Sequence, residues 1–195
     1  MDRISHYFVS RGAGHLLDRI SHFQESSATS ELAAERLNCE CSQIAKSIAI
    51  FIKNPALRRG KLRHAQNLPA AAQGPPGSPP TPVAPMFYDK LCSIIVVTSG
   101  DAKVSKLKFK DRFNSQLDLI GSSIVQDVIG YPVGGVCPFG INSNVRVYLD
   151  VSLKRFDTIH AACGTPNTTI TLNLDELEEY SENFVEWVDV CDGWM

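Results

Sequence analysis

Residues 130–164 read GYPVGGVCPFGINSNVRVYLDVSLKRFDTIHAACG, and this segment carries the densest structural signals in the chain. Its first eleven residues contain four glycines and two prolines, which predicts a loop that follows a helix end at Gly130. Apolar residues then occupy alternate positions, Val145, Val147 and Leu149, as they do in a half-buried strand. We therefore expect a glycine-rich loop, residues 130–140, that leads directly into a sheet.

On both sides of this segment, the sequence alternates short strand-like and helix-like stretches. The predicted strands are residues 45–53, 91–98, 145–150, 156–162, 168–174 and 184–190. The predicted helices are one capped by Ser27 or Thr29 that runs to Leu37, one capped by Ser122 or Ser123, and residues 175–180. Short strands and short connections favour an α/β fold with a curled, barrel-like, mostly antiparallel or mixed sheet flanked by short α-helices. Residues 184–190 are expected to close that sheet.

The 195 residues suit a single domain, residues 1–195, with one insertion. Residues 55–85 hold eight of the eleven prolines and no acidic residue. This segment has too few large apolar side chains to offset the entropy of ordering it, so we expect a disordered, proline-rich insertion inside the domain.

Composition argues against several classes of protein. No apolar run approaches the roughly 20 residues that span a bilayer, and the first twenty residues lack a signal-peptide pattern, so we expect a cytoplasmic protein without a membrane partner. Six cysteines are scattered without a C-x-x-C pair, which predicts free thiols in a reducing compartment and no zinc site. The common phosphate-, metal- and dinucleotide-binding motifs are also missing, so we expect neither a metal nor another cofactor.

The net charge is −2, but one short stretch is strongly basic. It contains Lys103, Lys106, Lys108, Lys110 and Arg112, with one acidic residue among them. Such a basic stripe either contacts a phosphate backbone or forms a solvated helix face.

Lys46 is unusual because it interrupts an apolar strand face. Side chains alternate along a strand, so Lys46 shares its face with Ile48, Ile50 and Ile52. The ammonium group then either reaches out to solvent or points into a pocket toward an anion or a carbonyl oxygen.

The glycine-rich loop is the second candidate site. Gly134 and Gly135 permit backbone conformations closed to other residues, and they let a ligand approach main-chain N–H groups as in an oxyanion hole. The alternative is a purely structural turn. Asp150 at a strand end and the turn at Gly164 and Thr165 either line the same pocket or only end their strands.

A thiol hydrolase is a further alternative, because Cys137, His160 and Asp150 are the residue types of a catalytic triad. Nothing in the local sequence supports that arrangement, since His160 lies inside an apolar strand.

Three motifs resemble those of the YbaK and prolyl-tRNA-synthetase-associated editing family. They are I-A-K-S at residues 44–47, G-x-x-x-G-G-V-x-P-F-G at residues 130–140 and V-Y-x-D-x-S-L at residues 147–153. The similarity extends over nearly the whole chain except residues 55–85, and the three motifs occur in the family's order.

The resemblance implies an α/β domain that hydrolyses the ester between an amino acid and the 3′ end of tRNA. It implies that the lysine matching Lys46 holds the terminal adenosine and aminoacyl group, and that the loop matching residues 134–140 contacts the ester carbonyl through its backbone. It also implies that the residues matching Asp150 and Gly164 line the pocket. Neither a metal nor a protein nucleophile is implied. The attacking group would be a water, a terminal hydroxyl of the tRNA or the substrate's own side chain.

These expectations define a set of candidate site residues. The catalytic candidates are Lys46, Gly134, Gly135 and Asp150. The candidates for substrate binding are Ser47, Val136, Cys137, Pro138, Phe139, Gly140, Gly164 and Thr165. The candidates for contact with tRNA are Lys103, Lys106, Lys108 and Lys110.

Two functions remain open from the sequence. The first is a trans-acting editing hydrolase, since no synthetase domain accompanies the editing motifs. The second is a catalytically inactive module that binds tRNA or an aminoacyl-tRNA synthetase. The presence of Lys46 and of the complete glycine-rich loop favours the hydrolase. Ser47 stands where relatives often have Thr or Asn, so the edited amino acid stays open.

Overall fold

The computed structural model describes residues 2–53 and 91–194. The predicted proline-rich insertion at residues 55–85 lies outside the described residues. Within the described ranges, the chain forms one large mixed sheet with short helices packed on it, which confirms the predicted fold class.

Short elements account for most of the described chain. The α-helices are α1 (Arg3–Ser10), α2 (Ser30–Leu37), α3 (Lys106–Phe113), α4 (Val125–Ile129) and α5 (Leu174–Tyr180). The strands are β1 (Ile20–His22), β2 (Ile44–Lys53), β3 (Leu91–Ser99), β4 (Lys103–Val104), β5 (Asp118–Leu119), β6 (Arg146–Asp150), β7 (Thr158–Ala162), β8 (Thr168–Asn173), β9 (Phe184–Val188) and β10 (Cys191–Asp192). Three 3₁₀ helices span Gly14–Arg19, Cys41–Gln43 and Val151–Arg155.

The main sheet has the strand order β1-β8-β7-β2-β3-β6-β9, with β5 added beside β2. The β2–β3 and β7–β8 pairs are antiparallel, whereas β7 pairs with β2 and β6 pairs with β3 in parallel. The prediction that residues 184–190 close the sheet is wrong for the described residues. Here β9 pairs in parallel with β6 and ends the sheet, while β1 pairs with β8 and ends the other side.

The sheet is covered on both faces, which explains the continuous apolar run in β3. Ile95 and Val97 belong to the larger core cluster, and Ile94 and Val96 belong to a second cluster on the opposite face. All four side chains are fully buried. A central strand buried on both faces needs apolar residues at every position.

The helix ends follow the predicted signals in two of three cases. Thr29 caps α2 by accepting from the Leu32 N–H, and Gly130 ends α4 in the left-handed region at φ 106°. The predicted capping by Ser122 or Ser123 is wrong. A turn forms before α4 instead, in which the N–H groups of Ile124 and Val125 both donate to the Gly121 carbonyl, so no serine side chain is needed there.

Deletion of residues 56–84 is expected to leave the fold intact. Lys53 and Leu91 are register partners on adjacent strands, so the strand ends on either side of the deletion already lie next to each other. Shortening a loop changes its closure free energy by only about 0.6 kcal/mol per halving. The deletion variant should melt within roughly 5 °C of the parent in a circular-dichroism melt. Aggregation or loss of the cooperative transition would show that the segment packs against the domain.

Candidate active site

A gap in the pairing of β2 defines the candidate site. One edge of β2 pairs with β3 from Ala45 to Lys53. The other edge pairs with β7 at Ile44 and Ala45, and with β5 at Ile50 and Phe51. Between these points, the described strands leave that edge open, and a half-open cavity of about 500 Å³ lies against it. We call this cavity the β2 cavity; its size is that of a small-molecule site.

Three parts of the chain surround the β2 cavity. Lys46 and Ser47 contribute from β2, and the loop before α2 together with the first turn of α2 contributes residues 27–31. The glycine-rich loop contributes Val133, Gly134 and Val136. Further lining residues are Ala33, Ile44, Ala45, Ile48, Ala49, Gly100, Leu119, Ile120, Ser122, Val125, Ala162 and Thr169.

The ammonium group of Lys46 is held in place at this cavity. Its Nζ donates to the carbonyl oxygens of Ala102 at 2.9 Å and Gly100 at 3.2 Å. The side chain is half-buried and lines the cavity, so it does not simply extend into solvent. An ammonium group has three N–H donors, so one donor remains available to a ligand.

The glycine-rich loop packs tightly against its neighbours. Gly134 has φ 82°, and a Cβ placed there would lie 2.5 Å from the Ala28 Cβ. Gly135 donates to the Pro132 carbonyl at 3.0 Å and accepts from the Gly164 N–H at 3.1 Å, so its backbone groups serve the protein itself. Among the described residues, the N–H groups of Gly134 and Val136 have no protein acceptor. Gly134 and Val136 line the same cavity as Lys46, so these two N–H groups are candidate donors to a ligand bound there.

The rest of the loop lies behind the cavity. Cys137 and Phe139 are fully buried, and Pro138 and Gly140 are also buried. The Pro138 carbonyl accepts from the Glu182 N–H at 2.7 Å, and the Gly140 carbonyl accepts from Arg3 Nε at 2.5 Å. These four residues hold the loop in place and do not line the β2 cavity.

Asp150, Gly164 and Thr165 are also placed away from the β2 cavity. The fully buried Asp150 carboxylate accepts from the N–H groups of Ser152 at 3.0 Å and Val190 at 2.9 Å, so it ties the end of β6 to the C-terminal segment. Gly164 and Thr165 line a second cavity of about 670 Å³ near the start of α1. Of the predicted site residues, the structure thus brings together Lys46, Ser47, Gly134 and Val136.

The three residue types of a thiol triad are not assembled. Burial raises the pKa of the Cys137 thiol to about 12, so the thiol stays protonated at neutral pH. His160 Nδ1 forms its hydrogen bond with Thr171 Oγ1 at 3.0 Å. The Asp150 carboxylate accepts hydrogen bonds from the backbone N–H groups of Ser152 and Val190. The geometry gives no support to a cysteine nucleophile.

Replacement of Cys137 by serine is expected to retain most activity in any hydrolysis at this site. The thiol lies outside the cavity lining and is not ionised, so its loss removes no reacting group. Single-turnover kinetics of Cys137→Ser beside the parent provide the test. A loss near a thousandfold, with the melting temperature unchanged, would instead indicate covalent catalysis.

Two hydroxyl groups of the β2 cavity form a pair that the sequence analysis did not predict. Among the described residues, Ser47 Oγ and Thr169 Oγ1 are buried side-chain atoms without a hydrogen-bond partner. Both residues line the β2 cavity. Buried polar groups are nearly always hydrogen-bonded, so these two hydroxyls offer hydrogen-bonding groups to water or to a polar ligand in the cavity. The polar residues at alternate positions in β8, Thr169 and Thr171, were the available signal.

Two of the five cationic side chains in the basic stripe form ion pairs within the protein. Lys108 pairs with Asp189 at 2.9 Å and Asp192 at 3.1 Å, and these carboxylates raise the pKa of Lys108 to about 12. Arg112 pairs with Glu186. Within the stripe, Lys103, Lys106 and Lys110 are exposed and have no ion-pair partner among the described residues.

A profile for the aminoacyl-tRNA editing domain matches residues 70–180. The chain is also 35% identical to the uncharacterized protein YwhH of Bacillus subtilis (strain 168) over 175 residues, which cover 90% of this chain and 88% of that protein. The chain belongs to the aminoacyl-tRNA editing domain family. The resemblance inferred from the three sequence motifs is therefore confirmed.

Solved structures share the fold of this editing domain. A proposed trans-editing enzyme for prolyl tRNA synthetase aligns over 98% of this chain and 96% of its own, with a TM-score of 0.69 and 21% identity. The hypothetical protein APE2540 aligns over 98% of this chain and 100% of its own, with a TM-score of 0.68 and 20% identity. Similarity at this level of identity establishes the fold.

The described part of the editing domain has neither a membrane-spanning helix nor a cluster of metal-ligating side chains. No helix in residues 2–53 and 91–194 is long and apolar enough to cross a membrane. In the same ranges, no group of three or more His, Cys, Asp or Glu side chains is placed to hold a metal ion.

Proposed function

We propose that this editing domain is a trans-acting hydrolase that cleaves the ester between a wrongly attached amino acid and the 3′ end of tRNA. One observation carries the proposal. The Lys46 ammonium, with one N–H to spare, and the unpaired N–H groups of Gly134 and Val136 line the same cavity. These are donors of the kind that stabilise negative charge on a carbonyl oxygen.

In the proposed mechanism, the aminoacyl ester occupies the β2 cavity. Attack on its carbonyl carbon places negative charge on the carbonyl oxygen, and donors fixed in advance lower the free energy of that transition state. The buried Cys137 thiol takes no part. The attacking oxygen comes from water, and the tRNA hydroxyl leaves as the C–O bond of the ester breaks, which releases the free amino acid. A cytoplasmic location and the use of aminoacyl-tRNA delivered by a synthetase are parts of the same proposal.

The experiment is a deacylation panel with tRNA charged by Ala, Ser, Cys and Pro. The proposal expects at least one of these esters to be hydrolysed much faster than in buffer alone, with the tRNA left intact. The alternative is a module that binds tRNA or a synthetase without catalysis. Saturable tRNA binding without hydrolysis of any ester would favour this alternative.

Charge reversal at Lys106 and Lys110 is expected to weaken tRNA binding. The two side chains are one helical turn apart on the exposed face of α3, so both can contact phosphates of one backbone. Lys108 is unsuitable for this test because its reversal would disrupt contacts with Asp189 and Asp192. Loss of two phosphate contacts should reduce the slope of log affinity against log salt by roughly 1.5–2.

Filter binding of tRNA at several salt concentrations measures this slope. The matched control is Arg146→Glu, which reverses an exposed cation at the start of β6. An unchanged slope in the Lys106→Glu/Lys110→Glu variant would mean that the stripe is a solvated helix face.

A further inference from the structure

The two carbonyl groups that hold Lys46 belong to one short turn, residues 99–102, between β3 and β4. Gly100 and Ala102 supply the carbonyl oxygens, and Asp101 lies between them in the chain. Gly100 is pressed against its surroundings, because a Cβ placed there would lie 2.1 Å from the Cys41 carbonyl oxygen. The position of the ammonium therefore depends on the position of this turn.

Arg155 fixes the turn from outside the cavity. Its Nη2 donates to both Asp101 carboxylate oxygens, at 2.7 and 3.0 Å, and to Ser99 Oγ at 3.0 Å. Ser99 Oγ in turn donates to Asp101 Oδ1 at 2.6 Å. The guanidinium, Asp101 and Ser99 thus form a closed set of hydrogen bonds around the turn that holds Lys46.

Arg155 is itself held by its neighbours. Its Nε donates to the Ser152 carbonyl at 3.0 Å, and its guanidinium lies over the rings of Phe156 at 4.8 Å and Trp194 at 5.3 Å. The side chain is 23% exposed, so solvent competes only partly for its hydrogen bonds. A planar donor group that contacts two rings is well suited to fix a carboxylate in one position.

The charge state of Asp101 agrees with this geometry. Burial acts to raise the pKa of Asp101, but the hydrogen bonds from Arg155 and Ser99 outweigh burial and lower the pKa below its usual value. Asp101 is therefore a carboxylate at neutral pH, next in the chain to both carbonyl groups that bind the Lys46 ammonium. With its charge engaged by Arg155, it does not compete for that ammonium.

We propose that Arg155 is a positioning residue for Lys46, acting through Asp101 and the turn at residues 99–102. This inference rests on the proposed function, because it assigns Lys46 a role in deacylation. Arg155 keeps the third N–H of Lys46 available to the substrate in two ways. It holds the two carbonyl acceptors still, and it keeps the Asp101 carboxylate from pairing with the ammonium.

The test compares Arg155→Ala with the double variant Arg155→Ala/Asp101→Asn. Removal of the guanidinium releases the carboxylate, and kcat for deacylation should fall about tenfold or more, while KM changes less than about twofold. Asparagine keeps the shape of Asp101 but not its charge, so the double variant should recover a measurable part of kcat. A residue with a merely structural role would not be rescued by a second substitution of this kind. Arg155→Lys should retain less of the parent kcat than the double variant does, because the point charge of a lysine cannot replace the planar guanidinium group.

Arg11→Ala is the matched control. Arg11 also combines a carboxylate partner, Glu182 at 3.3 Å, with an aromatic ring, Tyr7 at 4.6 Å, and it lies on a different part of the molecule. Its replacement should leave kcat near that of the parent. Full kcat in Arg155→Ala, or a double variant no better than the single one, would overturn the positioning role.

A second readout separates this inference from the proposed function. The side-chain NMR signals of Lys46 should shift in Arg155→Ala, return toward the parent in the double variant, and stay unchanged in Arg11→Ala. If the parent hydrolyses no aminoacyl-tRNA, the proposed function fails, and the NMR comparison still decides whether Arg155 positions Lys46. Unchanged Lys46 signals in Arg155→Ala would overturn the inference even if the parent is an active deacylase.

Discussion

Replacement of Lys46 by alanine should lower the single-turnover deacylation rate about a hundredfold or more, which corresponds to about 2.7 kcal/mol of transition-state stabilisation. The ammonium is fixed by Gly100 and Ala102 and retains one N–H for the substrate. A donor held in advance costs no reorganisation when charge develops on the ester oxygen, so its loss is felt mainly in the chemical step. We therefore expect a fall in kcat with a smaller change in KM.

The same substitution should disturb folding much less. Two hydrogen bonds from a half-buried charge are lost, with a net cost of about 1–3 kcal/mol. For a chain of this size, such a loss lowers the melting temperature by roughly 2–12 °C. Lys53→Ala, which removes an exposed lysine at the end of the same strand, controls for the charge change. Lys46→Arg should rescue poorly, because a planar fork does not fit two carbonyl acceptors arranged around an ammonium.

A melting curve recorded beside the kinetics decides how the result is interpreted. Full activity in Lys46→Ala would remove the lysine from the mechanism. Lost activity together with an unfolded chain would make Lys46 a structural residue. Only lost activity in a folded protein supports the catalytic assignment.

Much of the sheet follows from local sequence pattern. The run at residues 91–98 predicted a buried strand because only apolar side chains fit a strand covered on both faces, and β3 is such a strand. Thr29 predicted the start of α2 because its hydroxyl accepts from a backbone N–H within the first turn. Apolar runs and helix caps depend on only a few neighbouring residues, so they can be predicted without knowledge of the tertiary structure.

The position of Lys46 was predictable in part. Alternation along β2 placed it on the face of Ile48 and Ile50, and the structure agrees. The sequence could not show whether the Lys46 ammonium points to solvent or into a pocket. The carbonyl oxygens that accept its hydrogen bonds belong to Gly100 and Ala102, about 55 residues away in the chain. The gap in β2 pairing depends on where β5 and β7 end, which is a property of the whole sheet.

Long-range packing also separates residues that look alike in the sequence. Gly134 and Gly135 are adjacent and were predicted to act together, yet Gly134 lines the β2 cavity and Gly135 packs against the turn at Gly164. Asp150 at a strand end could have lined a pocket or ended the strand, and its carboxylate accepts from the N–H groups of Ser152 and Val190. The different positions of Gly134 and Gly135, and the role of Asp150, depend on segments distant in the chain, so they could not be predicted from the local sequence.

The second large effect is expected for Gly135→Ala, and it concerns stability first. A Cβ at this position would lie 2.5 Å from the Gly164 carbonyl oxygen, 2.6 Å from its carbonyl carbon and 2.8 Å from the Thr165 nitrogen. All three are backbone atoms, so no side-chain rotation relieves the contact. The added methyl group must push the glycine-rich loop away from the Gly164 turn and break the Gly164 N–H to Gly135 carbonyl hydrogen bond.

Overpacking of this kind costs about 2–3 kcal/mol, so the melting temperature of Gly135→Ala should fall by roughly 4–12 °C. Deacylation should fall as well, since the same displacement moves the neighbouring Gly134 and Val136 N–H groups, which line the β2 cavity together with Lys46. Gly121→Ala is the matched control, because a Cβ there meets no atom within 4 Å and its backbone is not in the left-handed region. If Gly135→Ala melts and reacts like Gly121→Ala, the loop is not held against the Gly164 turn, and the two backbone donors must be fixed by other contacts.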